Sequence, residues 1–437
     1  MGRARGGDEF LGGLTRREFL RMAGLAGVAL PSAAAFLEAC SNNSSGTGGG
    51  SSPAASANPY GTGGISGAPY PLARQDAPVT WAITPENPAI KSGLTPEKGP
   101  LKVFGYNDYI YKKVLNAFEK QYSTQVQWTA FDTPEAMVAK VQTGADFDLI
   151  VTVTLDNVGK LVAGKLVQPL NKSYLSNFGN LWSAFQSPFY DNGSRYTVPY
   201  TIYSTGIAWQ NDVVTADIAG MSNPYDVLWD TAYKNQVGLL NGYRDTICVA
   251  LLRNGVTDVN TGDAATLDKA KSDLLEGVSA MNWKFNHTDY SSIGQWHIHN
   301  TWSGQVAYYQ YYLPKGYKIT QFSYVWPPQG AAKKPGLISN DVFTIPKAAK
   351  NPVLAHKLID FVLDETQALS NYGYEGYQPP LTFIQPDQIV AMKLVPANLK
   401  NIILTEDDFP LGVTELELAP AVTQMWQTIY QQVTGGA

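Results

Sequence analysis

The chain has 437 residues, with 32 Lys and Arg against 37 Asp and Glu for a net charge of −5. Its basic residues are scattered, so nothing in charge or pattern favours a nucleic-acid partner. Hydrophobic residues at 44% and aromatics at 12% exclude a disordered chain and allow a core large enough for two or three domains.

Thr15-Arg16-Arg17-Glu18-Phe19-Leu20 precedes an apolar run from Met22 to Leu30. Paired arginines before so short a run read as a twin-arginine export signal. A membrane-spanning helix needs about 20 apolar residues. Leu37, Ala39 and Cys40 resemble a lipobox, at which a precursor is cut and its new N-terminal cysteine acylated; Glu38 departs from the small or apolar residue usual there. The expectation is export across the membrane and retention on its outer face, or in the periplasm, by a lipid on Cys40 alone. With Cys40 lipidated, Cys248 has no disulfide partner in the chain; in the apolar run Thr246–Leu252 it reads as a small buried hydrophobe.

After Cys40, Gly/Ser/Ala/Pro sequence runs to about Gly67, followed by a proline-rich stretch over 68–98. Such composition cannot bury enough apolar surface to order itself and reads as a flexible stalk and lead-in. Leu101-Lys102-Val103-Phe104 then predicts a strand. Tyr111, Val114, Leu115, Phe118 and Tyr122 recur at helical spacing, and Gln125–Phe131 alternates as a strand does. Thr133-Pro134-Glu135 supplies an N-cap, a first-turn proline and an early acid for a helix that Gly144 closes. Asp148–Val151 predicts a buried strand. Strand, helix, strand, helix, strand implies an α/β unit with a parallel sheet, whose ligands lie beyond the carboxyl ends of the strands. Helices are expected over Leu267–Leu275 and Pro352–Leu363, and strands over Gln236–Leu240 and Tyr324–Trp326.

Leu101–Ile110 resembles the first strand and loop of the bacterial spermidine/putrescine-binding proteins of the type 2 periplasmic binding fold. Phe147–Val151, Tyr196–Tyr200 with Ser204–Ile207, Tyr225–Trp229, Tyr324–Pro328, Asn340-Asp341 before Ile345-Pro346, and Gly376–Pro380 match that family in order. The resemblance covers roughly residues 78–437, and the lead-in from Trp81 to Gly99 is similar to actinobacterial, twin-arginine-exported members. It implies a two-lobe α/β protein, each lobe a mostly parallel sheet flanked by helices, with the ligand in a cleft between hinged lobes. The expected division is a signal peptide over 1–39, the stalk and lead-in over 40–98, lobe 1 over 99–204 plus 341–386, and lobe 2 over 205–340 plus 387–437. Crossings are expected near Ser204, Asp341 and the mid-380s.

The implied function is capture of a polyamine, spermidine or putrescine, by a monomer that docks on an ABC permease. No chemistry and no cofactor are implied. Each ammonium of such a cargo needs a carboxylate, because a desolvated charge is costly unless paired, and aromatic walls suit the methylenes and the cations. The resemblance places Asp108, Asp245 and Asp341 on the ammonium groups. Tyr106, Asn107, Tyr109, Tyr312 and Tyr377 fall at wall and hydrogen-bonding positions, and Thr152 and Thr154 in the loop after the third strand. An acid or amide is expected around Glu415 or Glu417. Gly242 stands where the family has another acid and Ser339 where it often has tryptophan. A carbohydrate or other small solute in the same fold stays open as an alternative, as does an exported hydrolase using acid pairs such as Asp407-Asp408. His297 and His299 share a strand face but lack a third ligand at recognisable spacing, which favours surface histidines over a metal site.

Overall fold

The computed structural model describes residues 58–286 and 296–435; the export signal and Cys40 lie outside the described residues. Two short strands, β1 (Gly61–Gly63) and β2 (Val79–Trp81), open the described chain as an antiparallel pair. Where the composition suggested a flexible stalk and lead-in, this segment is docked on the body. Its few large residues explain why, since Tyr70, Leu72, Val79 and Trp81 are all buried. Averaging over a Gly/Ser/Pro background hides anchors so sparse.

The α/β unit follows. Strand β3 (Leu101–Gly105) leads into helix α1 (Lys112–Tyr122), which buries Val114 and Phe118 and ends at a left-handed Ser123. Strand β4 (Val126–Ala130) precedes α2 (Pro134–Gln142), whose cap is Thr133: its hydroxyl accepts the Ala136 N–H at 3.2 Å. Strand β5 (Leu149–Thr154) is buried on both faces along nearly its whole length, as a central strand should be, and runs straight into α3 (Leu155–Ala163). β3 pairs in parallel with both β4 and β5.

The chain then enters β6 (Val198–Gln210), a 13-residue strand. Beyond it come β7 (Val237–Leu240), α4 (Tyr243–Arg253), α5 (Ala264–Met281), β8 (Lys284–Asn286), β9 (Ile298–Trp302), α6 (Ser303–Tyr308), β10 (Phe322–Val325) and β11 (Leu337–Thr344). Helices α7 (Pro352–Val362), α8 (Glu365–Glu375), α9 (Pro386–Ala391) and α10 (Pro420–Thr434) complete the chain.

The strand order β4-β3-β5-β11-β6-β9-β7-β8, with β10 also paired to β6, makes one continuous nine-stranded sheet. The sequence pattern suggested a mostly parallel sheet in each half. The parallel trios at the two ends are instead welded by antiparallel β11 and β6. β6 causes this, because it is long enough to pair with β11 through Thr205 and with β9 from Thr205 onward.

Two apolar cores flank this spine. The first gathers β3, α1, α7 and the chain as far as Leu404; the second gathers α4, α5, α10, Ile207 and Leu337. Cys248 is fully buried in the second, as the apolar run around it implied. His299, expected at the surface, is buried too: its Nδ1 lies 2.9 Å from the Tyr309 hydroxyl, and burial lowers its pKa to about 4. Among the described residues no helix is long and apolar enough to cross a membrane.

Candidate functional site

Asp341 lies near the middle of the sheet, on β11, opposite Thr154 of β5 on one side and Thr201 of β6 on the other. The ladder is irregular on both flanks: register slips against β6 between Asp341 and Val342, and against β5 between Val342 and Thr344. On β5, Thr152 has φ 71, a left-handed value costly for a β-branched residue. Such irregularities re-aim side chains at the ends of strands. Thr152 itself is fully buried and its hydroxyl donates to the Val151 carbonyl.

The Asp341 carboxylate is only 3% exposed. It accepts from the Tyr109 hydroxyl at 2.9 Å, the Thr201 hydroxyl at 3.4 Å and the Tyr203 hydroxyl at 3.5 Å. Burial pushes its pKa up to about 7; the three hydroxyls oppose that rise, and the charge of Asp156 adds to it. A carboxylate so placed is a strong partner for a cation entering the same space.

Rings enclose it. Tyr109 packs against Tyr106, Tyr200 and Tyr377, with centroids 5.8, 5.8 and 5.4 Å away. Tyr203 meets Tyr377 edge-on at 5.6 Å and Trp302 at 6.3 Å. The Gly304 backbone lies flat against Tyr377: a Cβ there would sit 2.5 Å from the ring. Behind this wall the Tyr200 hydroxyl donates to the Tyr109 carbonyl and lies 3.3 Å from the buried Glu375 Oε2. Asn371 ties these together, donating to the Tyr200 hydroxyl at 2.9 Å and to Glu375 at 2.7 Å.

More acids act on the same rings. After burial, the pKa of Tyr106 is raised by Asp341, Asp156, Glu135 and Asp245, and that of Tyr203 by Asp341 and Asp245. Asp156 opens α3, where its Oδ1 accepts from the Thr154 hydroxyl at 2.6 Å and from Asn157 at 2.9 Å. An acid in the first turn of a helix suits the positive end of the backbone dipole. Asp245 occupies the first turn of α4. Arg244 beside it points elsewhere, with its guanidinium on the Leu416 and Val259 carbonyls and Asn260. Burial and then Asp245 push Glu415 up to about 8, and its Oε1 is buried without a hydrogen bond.

Of the residues expected from sequence, Tyr106, Tyr109, Asp341 and Tyr377 form one cluster, Thr154 borders it, and Asp245 acts on it electrostatically. Asn107 and Asp108 are exposed; Asn107 donates to Asp108 at 3.1 Å, and Asp108 acts on Tyr374. Tyr312 is 43% exposed in a separate tyrosine group, its hydroxyl 3.0 Å from that of Tyr308, which in turn packs on Tyr311 and Tyr374. Sequence reasoning passed over Asp156, Tyr203 and Trp302. Signals for them existed: Asp156 follows a strand end, Tyr203 alternates in phase with Thr201, and Trp302 stands where a strand meets a helix.

An α/β sheet flanked by helices, with an aromatic, acid-lined site around Asp341, fits a solute receptor of the type 2 periplasmic-binding class. The family model described as "Bacterial extracellular solute-binding protein" matches residues 113–397, and the chain belongs to that family, whose members bind solutes and are not enzymes. The spermidine/putrescine-binding periplasmic protein of Salmonella typhimurium is 26% identical over 344 residues, covering 77% of this chain and 92% of that protein. The putrescine/cadaverine-binding protein of Pseudomonas aeruginosa is 26% identical over 298 residues, 66% of this chain and 82% of its own length. The crystal structure of the spermidine/putrescine ABC transporter substrate-binding protein of Streptococcus pneumoniae superposes with a TM-score of 0.63 at 23% identity, over 77% of this chain and 98% of that one. That likeness establishes the fold.

Proposed function

We propose that this protein captures a polyamine, spermidine or putrescine, and delivers it to an ABC permease. The observation that carries the reading is Asp341: a buried carboxylate held by three hydroxyls inside a box of Tyr106, Tyr109, Tyr203, Tyr377 and Trp302. A neutral sugar can donate its hydroxyls to such an acid but brings no countercharge to it. An ammonium does, and the rings around it suit both its charge and the methylenes next to it. Asp156, Asp245 and Glu415 supply partners for the remaining ammonium groups. The names of the relatives support the same cargo.

The protein works as a monomer of two lobes that hinge about the shared strands β6 and β11. The export signal carries it across the membrane folded, and a lipid on Cys40 retains it at the outer face, near its permease. Titration calorimetry with spermidine, putrescine, cadaverine and a neutral disaccharide tests the cargo. Saturable amine heat with none from the sugar is the expected result. Tight sugar binding without amine heat overturns it.

A further inference from the structure

The segment upstream of the family match is bonded to residues of both halves of the molecule. Its hairpin is closed by β1–β2 pairing and by a second bridge in which Ile65 and Leu72 exchange backbone hydrogen bonds at 2.8 and 3.0 Å. On one side it grips the half built around β3 to β5. Trp81 Nε1 donates to the Tyr190 carbonyl at 2.8 Å, Arg195 Nη1 to the Trp81 carbonyl at 2.7 Å, and the Tyr196 hydroxyl to the Ala82 carbonyl at 2.6 Å. Farther along, Asn87 donates to the Val167 carbonyl at 2.9 Å, and Glu97 caps α7 by accepting the Leu354 N–H at 2.8 Å.

On the other side the hairpin grips the chain leading into α10. The Tyr70 hydroxyl donates to Glu417 Oε1 at 2.6 Å, and Arg74 Nη2 to the Glu417 carbonyl at 3.0 Å. That stretch belongs to the second core: Leu416 accepts from Arg244 and donates to Asn260, and Leu418 packs in the second apolar cluster. At the joint, Glu417 Oε2 presses on Gly159 of α3, where a Cβ would lie only 2.5 Å away. Tyr70 and Trp81 lie against the same glycine. The hairpin thus sits where α3 of one half meets Leu416 and Glu417 of the other.

We propose that residues 58–98 form a strap that ties the two halves together and limits how far they open, with the Tyr70–Glu417 contact as its latch. The physical basis is that α3 and Glu417 cannot separate while one hairpin holds both. Releasing the hairpin from Glu417 would strip a buried carboxyl of its hydroxyl donor, which is unfavourable. The strap lies upstream of residues 113–397, the part of the chain that the family model describes.

The inference rests on the reading that the halves open and close around a cargo, and its test uses the ligand-free full-length chain. Spin labels are placed at Lys113→Cys on α1 and Glu276→Cys on α5, both exposed, in a Cys40→Ser background; Cys248 is fully buried. Double electron–electron resonance should give one narrow separation with the native strap. It should give a longer and broader one in Tyr70→Phe/Arg74→Ala. Tyr70→Phe alone removes a single oxygen and should move the distribution the same way by less. Glu86→Gln, which breaks the surface pair with Lys165 and touches no latch residue, should leave it in place. Distributions of both latch variants that superimpose on the parent overturn the strap, as does an equal shift from Glu86→Gln. Spermidine added to the same samples tests the cargo separately: no shortening of the separation counts against the amine and leaves the strap comparison intact.

Discussion

The Tyr109 hydroxyl donates to Asp341 Oδ2 across 2.9 Å, joining the loop after β3 to the central strand β11. Tyr109→Phe keeps the ring and removes that bond. A hydrogen bond to a charged group contributes about 1.5–3 kcal/mol, so spermidine affinity should fall about 10- to 100-fold in calorimetry. Asp341→Asn removes the countercharge as well. Breaking one partner of a buried ion pair costs about 3–5 kcal/mol, which corresponds to a loss of about 10²- to 10³-fold or more. The same variant should melt no lower than the parent at pH 8, because it also removes a carboxylate that burial disfavours. A lower melting temperature for Asp341→Asn at that pH would contradict this account of Asp341.

Acidity should tune binding through this group. Burial holds Asp341 near pH 7, whereas an aspartate in an unfolded chain ionises near pH 4. Between those values the folded chain keeps a proton that the unfolded chain has lost, so this residue makes stability fall as pH rises from about 4 to about 7. An ammonium prefers the ionised form, so affinity should move the opposite way. It should rise by as much as about tenfold per pH unit up to about 7 and level off above. Calorimetry at pH 6 in buffers of different ionisation heat should register proton release on binding. A flat affinity profile from pH 5 to 8 would be incompatible with a role for Asp341 as the ammonium partner.

Trp302 and Tyr312 offer a matched comparison. Trp302 faces Tyr203 inside the box, whereas Tyr312 is 43% exposed in the other tyrosine group. Cation–π contacts contribute about 0.5–2 kcal/mol, so Trp302→Ala should weaken amine binding about 2- to 30-fold. Tyr312→Ala should change it less than about threefold. A larger loss at Tyr312 would move the cargo toward that outer group.

Gly304→Ala should act at a distance from any charge. Its Cβ would meet Tyr377 at 2.5 Å, and overpacking of this kind costs about 1–3 kcal/mol. If Tyr377 tilts to relieve the contact, the wall beside Asp341 deforms. The expected outcome is a lower melting temperature together with a loss of amine affinity, neither relieved by Tyr377→Phe, which keeps the ring that the added methyl meets. Unaltered calorimetry in Gly304→Ala would mean that Tyr377 does not form part of the binding wall.

The local elements were legible because their signals are local. Thr133 caps α2, and Val114 and Phe118 line one face of α1. The site was half legible for a related reason. Strand-end logic reaches Tyr106, Tyr109 and Thr154, which follow parallel strands whose direction the pattern implies. It does not reach Tyr203 beside Asp341, or Trp302 beside Tyr203, whose places depend on antiparallel pairing between segments about 90 to 145 residues apart. The docking of residues 58–98 was hidden for another reason, since four anchors in a Gly/Ser/Pro background do not change its average character. The union of two half-sheets into one was likewise hidden: the crossing expected near Ser204 falls inside β6, but nothing in its residues tells that one unbroken strand carries it.

That seamlessness has a mechanical side. Val198–Gln210 is one strand hydrogen-bonded to β9 of one trio and, through β11, joined to β5 of the other, so no slack peptide lies between the two along it. Any rotation of one end against the other must be taken up as added coil in β6 and β11 themselves. On the proposed opening and closing, the pair would act as a torsion spring with the carboxylate of Asp341 mounted on its coil, so that winding and unwinding turn the very group that would grip a cation.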